Sequence, residues 1–230
     1  MRSLLKVLLF SCLCGDFFQA HLAEAAKSEA NLQENKVLKS FVEDTANDAI
    51  KKIAEPGKTD AQIKLEFKKI VAEKFDMEKI SSSILGANRK SLKSLDENES
   101  NVTEWKNIHG GQGYYASFVS LTTNMLIKLY CSKFKDYKDA TLRATEVTPK
   151  GKDNLFWDVT SIVTLNNGKP PIKVIWTIRR NNKEQLRVID AKVENVSMKK
   201  TLQDGVSGMI STSKNLQLFM NEFWEKYHQL

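Results

Sequence analysis

Trp157-Asp158-Val159-Thr160-Ser161-Ile162-Val163-Thr164-Leu165, a turn Asn166-Asn167-Gly168-Lys169-Pro170, and then Ile172-Lys173-Val174-Ile175-Trp176-Thr177-Ile178-Arg179-Arg180 is the stretch that decides the fold. Side chains of an extended chain point alternately to opposite faces. On that period Trp157, Val159, Val163 and Leu165 share one face, as do Ile172, Val174, Trp176 and Ile178, while Lys173, Thr177 and Arg179 point the other way. β-Branched and aromatic residues suit such a half-buried surface. Tyr137 to Val147 and Glu184 to Val196 repeat the pattern on either side, beyond Pro149-Lys150-Gly151 and Asn181-Asn182-Lys183. Connections this short predict a four-stranded antiparallel meander, Tyr137–Val147, Leu155–Leu165, Ile172–Arg180 and Glu184–Val196, with one strongly apolar face.

Outside this segment the apolar period lengthens to that of a helix. Leu38, Phe41, Val42, Thr45, Ala49, Ile50 and Ile53 recur at threes and fours until Pro56-Gly57 stops them. Thr59-Asp60-Ala61-Gln62 has the spacing of a capping box, opening a helix with Ile63, Phe67, Ile70, Val71 and Phe75 on one side. Asp76 caps a short third helix that Gly86 ends, and Ser94 to Thr103 is polar enough to read as a loop. After Gly110-Gly111-Gln112-Gly113 a long helix carries Tyr114, Phe118, Leu121, Met125 and Leu129 in one stripe. Two helices close the chain, one with Leu202, Val206, Met209 and Ile210, the other with Leu216, Phe219, Met220, Phe223 and Tyr227. Helices, then a sheet, then helices is the α+β order.

Arg2 and Lys6 precede a run of about ten mainly apolar residues, too short to span a bilayer and typical of a secretory signal. Ala23-Glu24-Ala25 offers the small-x-small cleavage pattern, placing the cut after Ala25, with Ala20 as the alternative. The expected organisation is a signal peptide over residues 1–25, a flexible lead over 26–35 and one domain over 36–230. Cleavage removes Cys12 and Cys14, leaving Cys131 with no partner for an internal disulfide. The lost segment carries two charges of each sign, so the net charge of +7 is kept. Basic residues are mixed with acidic ones and no basic run is interleaved with stacking aromatics, which argues against nucleic acid as a partner. Weak attraction to anionic lipid headgroups fits the balance better.

Catalytic patterns are sparse. His109 and His228 are the histidines left after cleavage and read as solvated surface residues. There is no Gly-x-Ser-x-Gly elbow, phosphate loop or Cys-x-x-Cys, and no set of ligands spaced for a metal. Asp96-Glu97 reads as a solvated pair, Cys131 as a packed thiol, and Asp190 as a carboxylate bonded to a neighbouring loop. The reading is therefore of a protein without catalytic residues, metal or cofactor.

The C-terminal third contains Leu186-Arg187-Val188-Ile189-Asp190-Ala191-Lys192-Val193-Glu194-Asn195-Val196-Ser197-Met198. This string resembles the MlaC family, also called the toluene-tolerance Ttg2 family, whose last strand runs Trp-Lys-Val-x-Asp-Val-x-Val-Glu-Gly-Val-Ser-Leu. Asp190, Val196 and Ser197 fall on its motif positions. Phe75-Asp76 with Leu85-Gly86, and Tyr115 to Tyr130, resemble two further family segments, so the likeness runs in order from about Lys36 to Leu218. Leu186 stands where Trp is usual, Asn195 where Gly is usual, and Ser213-Lys214 where a Gly separates the last helices; the chain resembles a divergent member.

The resemblance implies a monomeric periplasmic shuttle that carries phospholipid as cargo. It would run between an outer-membrane lipoprotein–porin complex and an inner-membrane ABC transporter with a lipid-binding ring protein, performing no chemistry. On this reading the apolar face of the sheet, roofed by the long helix and the last two, walls an apolar cavity. Trp157, Val159, Val163, Val174, Trp176, Ile178 and Val188 from the sheet, and Phe118, Leu121, Met125 and Met209 from helices, are the candidate lining. Two other readings stay open at this level: an adaptor or chaperone binding a protein segment along a sheet edge, and an enzyme on a similar α+β cone.

Overall fold

The computed structural model describes residues 4–53, 55–132, 137, 139–151, 155–166 and 168–229, with side chains from residue 27 onward. Helix α1 spans Leu4–Ile53, and five helices follow: α2 (Asp60–Lys74), α3 (Met77–Leu85), α4 (Asn88–Glu97), α5 (Glu99–Ile108) and α6 (Tyr114–Tyr130). The sheet is β1 (Thr141–Lys150), β2 (Phe156–Thr164), β3 (Ile172–Arg180), β4 (Leu186–Val193) and β5 (Val196–Ser197), after which come α7 (Met198–Thr212) and α8 (Leu216–Tyr227).

α1 runs through residues 26–35 without a break. Ala, Leu, Gln, Glu and Lys dominate the stretch and are strong helix formers. Glu34 also anchors it, with Oε1 2.8 Å from an Arg180 guanidinium nitrogen. The side chains of residues 1–26 lie outside the described residues.

The caps explain where the next helices begin. Thr59 and Gln62 form the reciprocal capping box, the Gln62 amide donating to Thr59 Oγ1 at 3.3 Å and the Thr59 amide to Gln62 Oε1 at 2.8 Å. Asp76 Oδ1 accepts from the Lys79 amide at 2.9 Å and opens α3. Ser94 to Thr103, expected as a loop, is instead the end of α4 and the first half of α5. Asn98 ends one helix and caps the other, its Oδ1 accepting from the Asn101 amide at 3.1 Å. Only Leu92, Val102 and Trp105 of these two helices are buried, so the apolar stripe was too thin to read.

The sheet has five strands in the order β1-β2-β3-β4-β5, all antiparallel neighbours, rather than four. The long last strand divides because Glu194 and Asn195 turn back with φ of 48° and 70°. Asn tolerates that left-handed region, so no glycine is needed to mark the turn. β1 begins at Thr141 and continues through Pro149 to Lys150, later at both ends than the apolar alternation suggested. Pro149 is admitted because β1 is an edge strand. A bulge between Ala144 and Glu146 breaks its register, and α1 satisfies the backbone there. Asn47 both accepts from the Leu142 amide (3.0 Å) and donates to its carbonyl (3.1 Å), while Glu43 accepts from the Ala144 amide (2.8 Å). The helix thus covers an edge that would otherwise invite another strand.

Apolar side chains collect in two clusters. One joins α1 to the inner face of the sheet, and the other is formed by α2 through α8 with Ala49, Ile53 and Ile189.

Candidate functional site

Val159, Val163, Val174, Ile178 and Val188 are all buried on one face of the sheet, as the alternation requires. The register sets Val159 opposite Trp176, Trp157 opposite Ile178 and Ile178 opposite Val188. Trp157 and Trp176 are half-buried beside them, and the Trp176 indole donates to Ser161 Oγ at 2.9 Å. Leu38, Val42 and Ala46 of α1 are the residues that cover this face. α1 thus packs on β1 and β2, while α7 packs on β4. The period of a strand states that a face is buried; the identity of what buries it depends on tertiary packing.

Phe118, Leu121 and Met125 lie in the second cluster, which Met209 borders half-buried. Phe118 stacks on Phe223 with centroids 5.4 Å apart, and Phe223 on Phe219 at 5.3 Å. α7 approaches α6 at Gly205, where an added Cβ would stand 2.7 Å from Met125 Cε. The sheet-side candidates thus pack in one cluster and the helix-side candidates in or against the other.

Phe75 packs against both cores. It pairs as an isolated parallel bridge with Val188, and the next amide, Asp76, donates to the Val188 carbonyl at 3.0 Å. Asp76 does two further things: it caps α3 and it ion-pairs with Arg179 of β3 at 3.1 Å. The Phe75-Asp76 dipeptide thereby fastens the α2–α3 corner to β3 and β4 at the seam between the cores. A cavity of about 530 Å³ opens at this seam, with Phe75 and Met77 in its wall. Lys79, Arg89, Arg179, Lys183 and Arg187 face it against Asp76 and Glu78. Sequence reading missed these basic residues, since they are scattered over more than a hundred positions and converge only through the fold.

Asp190 is buried, accepting from Ser197 Oγ at 2.7 Å and from the Lys199 amide at 2.9 Å. Ser197 in turn caps α7 through the Lys200 amide at 3.0 Å. These two motif residues thus position α7, whereas Val196 is 64% exposed. The histidines differ from their expected solvated state. His109 is only 7% exposed and stacks on Trp105 at 3.7 Å, with Trp224 edge-on at 4.9 Å and His228 stacked beyond Trp224 at 5.4 Å. Asp96 also differs from a solvated carboxylate: it accepts the amides of Tyr114 (2.6 Å) and Tyr115 (3.1 Å) and so caps α6. Cys131 is buried. Burial pushes the Tyr130 phenol above its ordinary range, against the lowering effect of a hydrogen bond with Thr201. Among the described residues, no group of three His, Cys, Asp or Glu side chains is placed to hold a metal. Nor is any helix among them long and apolar enough to cross a membrane.

The family model described as MlaC protein matches residues 43–223, most of the chain. The chain belongs to the MlaC family. Its fold is shared by the phospholipid-binding protein from Ralstonia solanacearum, solved in complex with a phospholipid, at a TM-score of 0.62 and 14% identity. The match covers 83% of this chain and 97% of that one. No curated protein matches the sequence. Within this MlaC chain, the Phe75-Asp76 corner joins the helices to the sheet, and Asp190 with Ser197 fixes the start of α7.

Proposed function

We propose that this protein is a periplasmic phospholipid carrier of an Mla-type intermembrane transport system. The observation that supports this most is the match to a phospholipid-bound protein over 97% of its length, joined to membership of the MlaC family. Residues 1–25 act as the export signal and are removed after Ala25. The carrier exchanges cargo with an outer-membrane lipoprotein–porin complex and with an inner-membrane ABC transporter bearing a lipid-binding ring, and it acts by enclosure, without bond chemistry.

Enclosure is a physical necessity for such cargo. Exposing a methylene costs about 0.8 kcal/mol, so two acyl chains of roughly thirty methylenes would cost on the order of 20 kcal/mol in water. The two cores meet at Phe75, and the acyl chains enter there, parting the layers between the sheet and the helices. Val188, Trp157, Trp176 and Ile178 line the chains on the sheet side, and Met209 and Met125 on the helix side. Methionine accommodates the change readily because its side chain is unbranched and adaptable.

Transfer of a fluorescent phospholipid tests the reading. Protein incubated with quenched vesicles and separated by gel filtration is expected to carry label at near one lipid per chain. Protein that emerges unlabelled, and that also yields no lipid on organic extraction, contradicts it.

A further inference from the structure

The cavity at the seam has a chemistry that tail burial does not explain. Five basic side chains face it against two acidic ones. Asp76 is already committed, through its pair with Arg179 and its cap on the Lys79 amide. What remains is Lys79, Arg89, Lys183 and Arg187 opposed by Glu78 alone. None of these four makes an ion pair with a carboxylate among the described residues.

The rim is also fixed in place. Asn181 Oδ1 accepts from the amides of Lys183 (2.9 Å) and Gln185 (3.0 Å), which locks the β3–β4 turn. Gln185 Oε1 then holds the Arg187 guanidinium at 2.8 Å.

We infer that this cavity is a binding site for a phosphate-type anion, with Arg89 as the bidentate contact and Arg187 and Lys79 as supporting charges. Planar guanidinium forks match the geometry of a tetrahedral oxyanion. The inference rests on the proposed carrier function where the anion is a lipid headgroup, because Phe75 and Met77 line the same cavity as the basic side chains. The same chemistry would also take free phosphate.

The test compares the full chain with the Arg89→Ala/Arg187→Ala variant. Arg89 is exposed and Arg187 half-buried, so both changes leave the cores intact, and thermal melting verifies this. Each protein is offered vesicles containing either phosphatidylglycerol or the diacylglycerol with the same tails, and each is titrated with inorganic phosphate by calorimetry. The expected result is that the wild type prefers the phosphate-bearing lipid at least tenfold, and that the variant takes up both lipids equally. Phosphate binding lost in the variant, without lipid preference, assigns the site to the free ion and supports it. If the wild type takes up neither lipid yet binds phosphate, the carrier reading fails and the anion site stands. Equal uptake of both lipids by the wild type, with no phosphate binding, overturns the inference while leaving the carrier reading in place.

Discussion

Single residues in this chain act chiefly by supplying caps at helix starts. Asp96 accepts two amides at the start of α6, the helix with the most buried residues of the second core. Loss of a cap costs about 1 kcal/mol, and charge-assisted bonds about 1.5–3 kcal/mol. Asp96→Ala is therefore expected to lower stability by about 2 kcal/mol and the melting temperature by roughly 4–8 °C. A calorimetric shift below about 1 °C would show that the cap carries no weight. Tyr130 gives a pH test. Its folded phenol is raised by burial above the ordinary value of 10.0, so its contribution is full below that pH and is lost as pH rises through the folded value. Urea midpoints should fall more steeply for the wild type than for Tyr130→Phe above about pH 10; parallel curves would contradict the assignment.

Elements show what the sequence disclosed and where it stopped. The strands were legible because alternation over Trp157–Leu165 and Ile172–Arg180 is unambiguous, and α2 because its capping box and stripe agree. α4 and α5 were hidden, since each buries one or two side chains and the rest is polar. The split at Glu194-Asn195 was marked only by Asn195 standing where Gly is usual, a weaker turn signal than glycine itself. The sheet-side candidates were found by pattern, but their covering helix was not, because Leu38, Val42 and Ala46 declare an apolar stripe without declaring its partner. The basic residues of the seam cavity had no local pattern at all. The joint of α1 with β1 is testable at this scale. Asn47→Ala leaves the Leu142 amide and carbonyl unpaired, an expected loss of about 2 kcal/mol. Hydrogen exchange at Leu142 and Ala144 should accelerate; unchanged protection there would show that α1 does not hold the edge.

At the scale of the whole molecule, α1 and β4 contribute residues to both cores, and Phe75 packs against each of them. Ligand that binds only the folded state stabilises it by mass action, about 2.7 kcal/mol at a hundredfold excess over the dissociation constant. Loading the protein with phospholipid is thus expected to raise its melting temperature by roughly 5–10 °C relative to the delipidated chain. The same seam places Phe75 between the sheet and the helices, so Phe75→Ala should weaken lipid retention more than it weakens folding. Gel filtration with labelled lipid, set beside urea denaturation, separates the two effects.

The most direct measurement is native mass spectrometry of the protein purified from its host envelope, followed by organic extraction. A mass increment equal to one phospholipid on most molecules, with the same lipid recovered in the extract, is the result expected of a carrier. A single bare mass, in protein that also takes no lipid from vesicles, would contradict the account and favour a protein-binding role for the same fold.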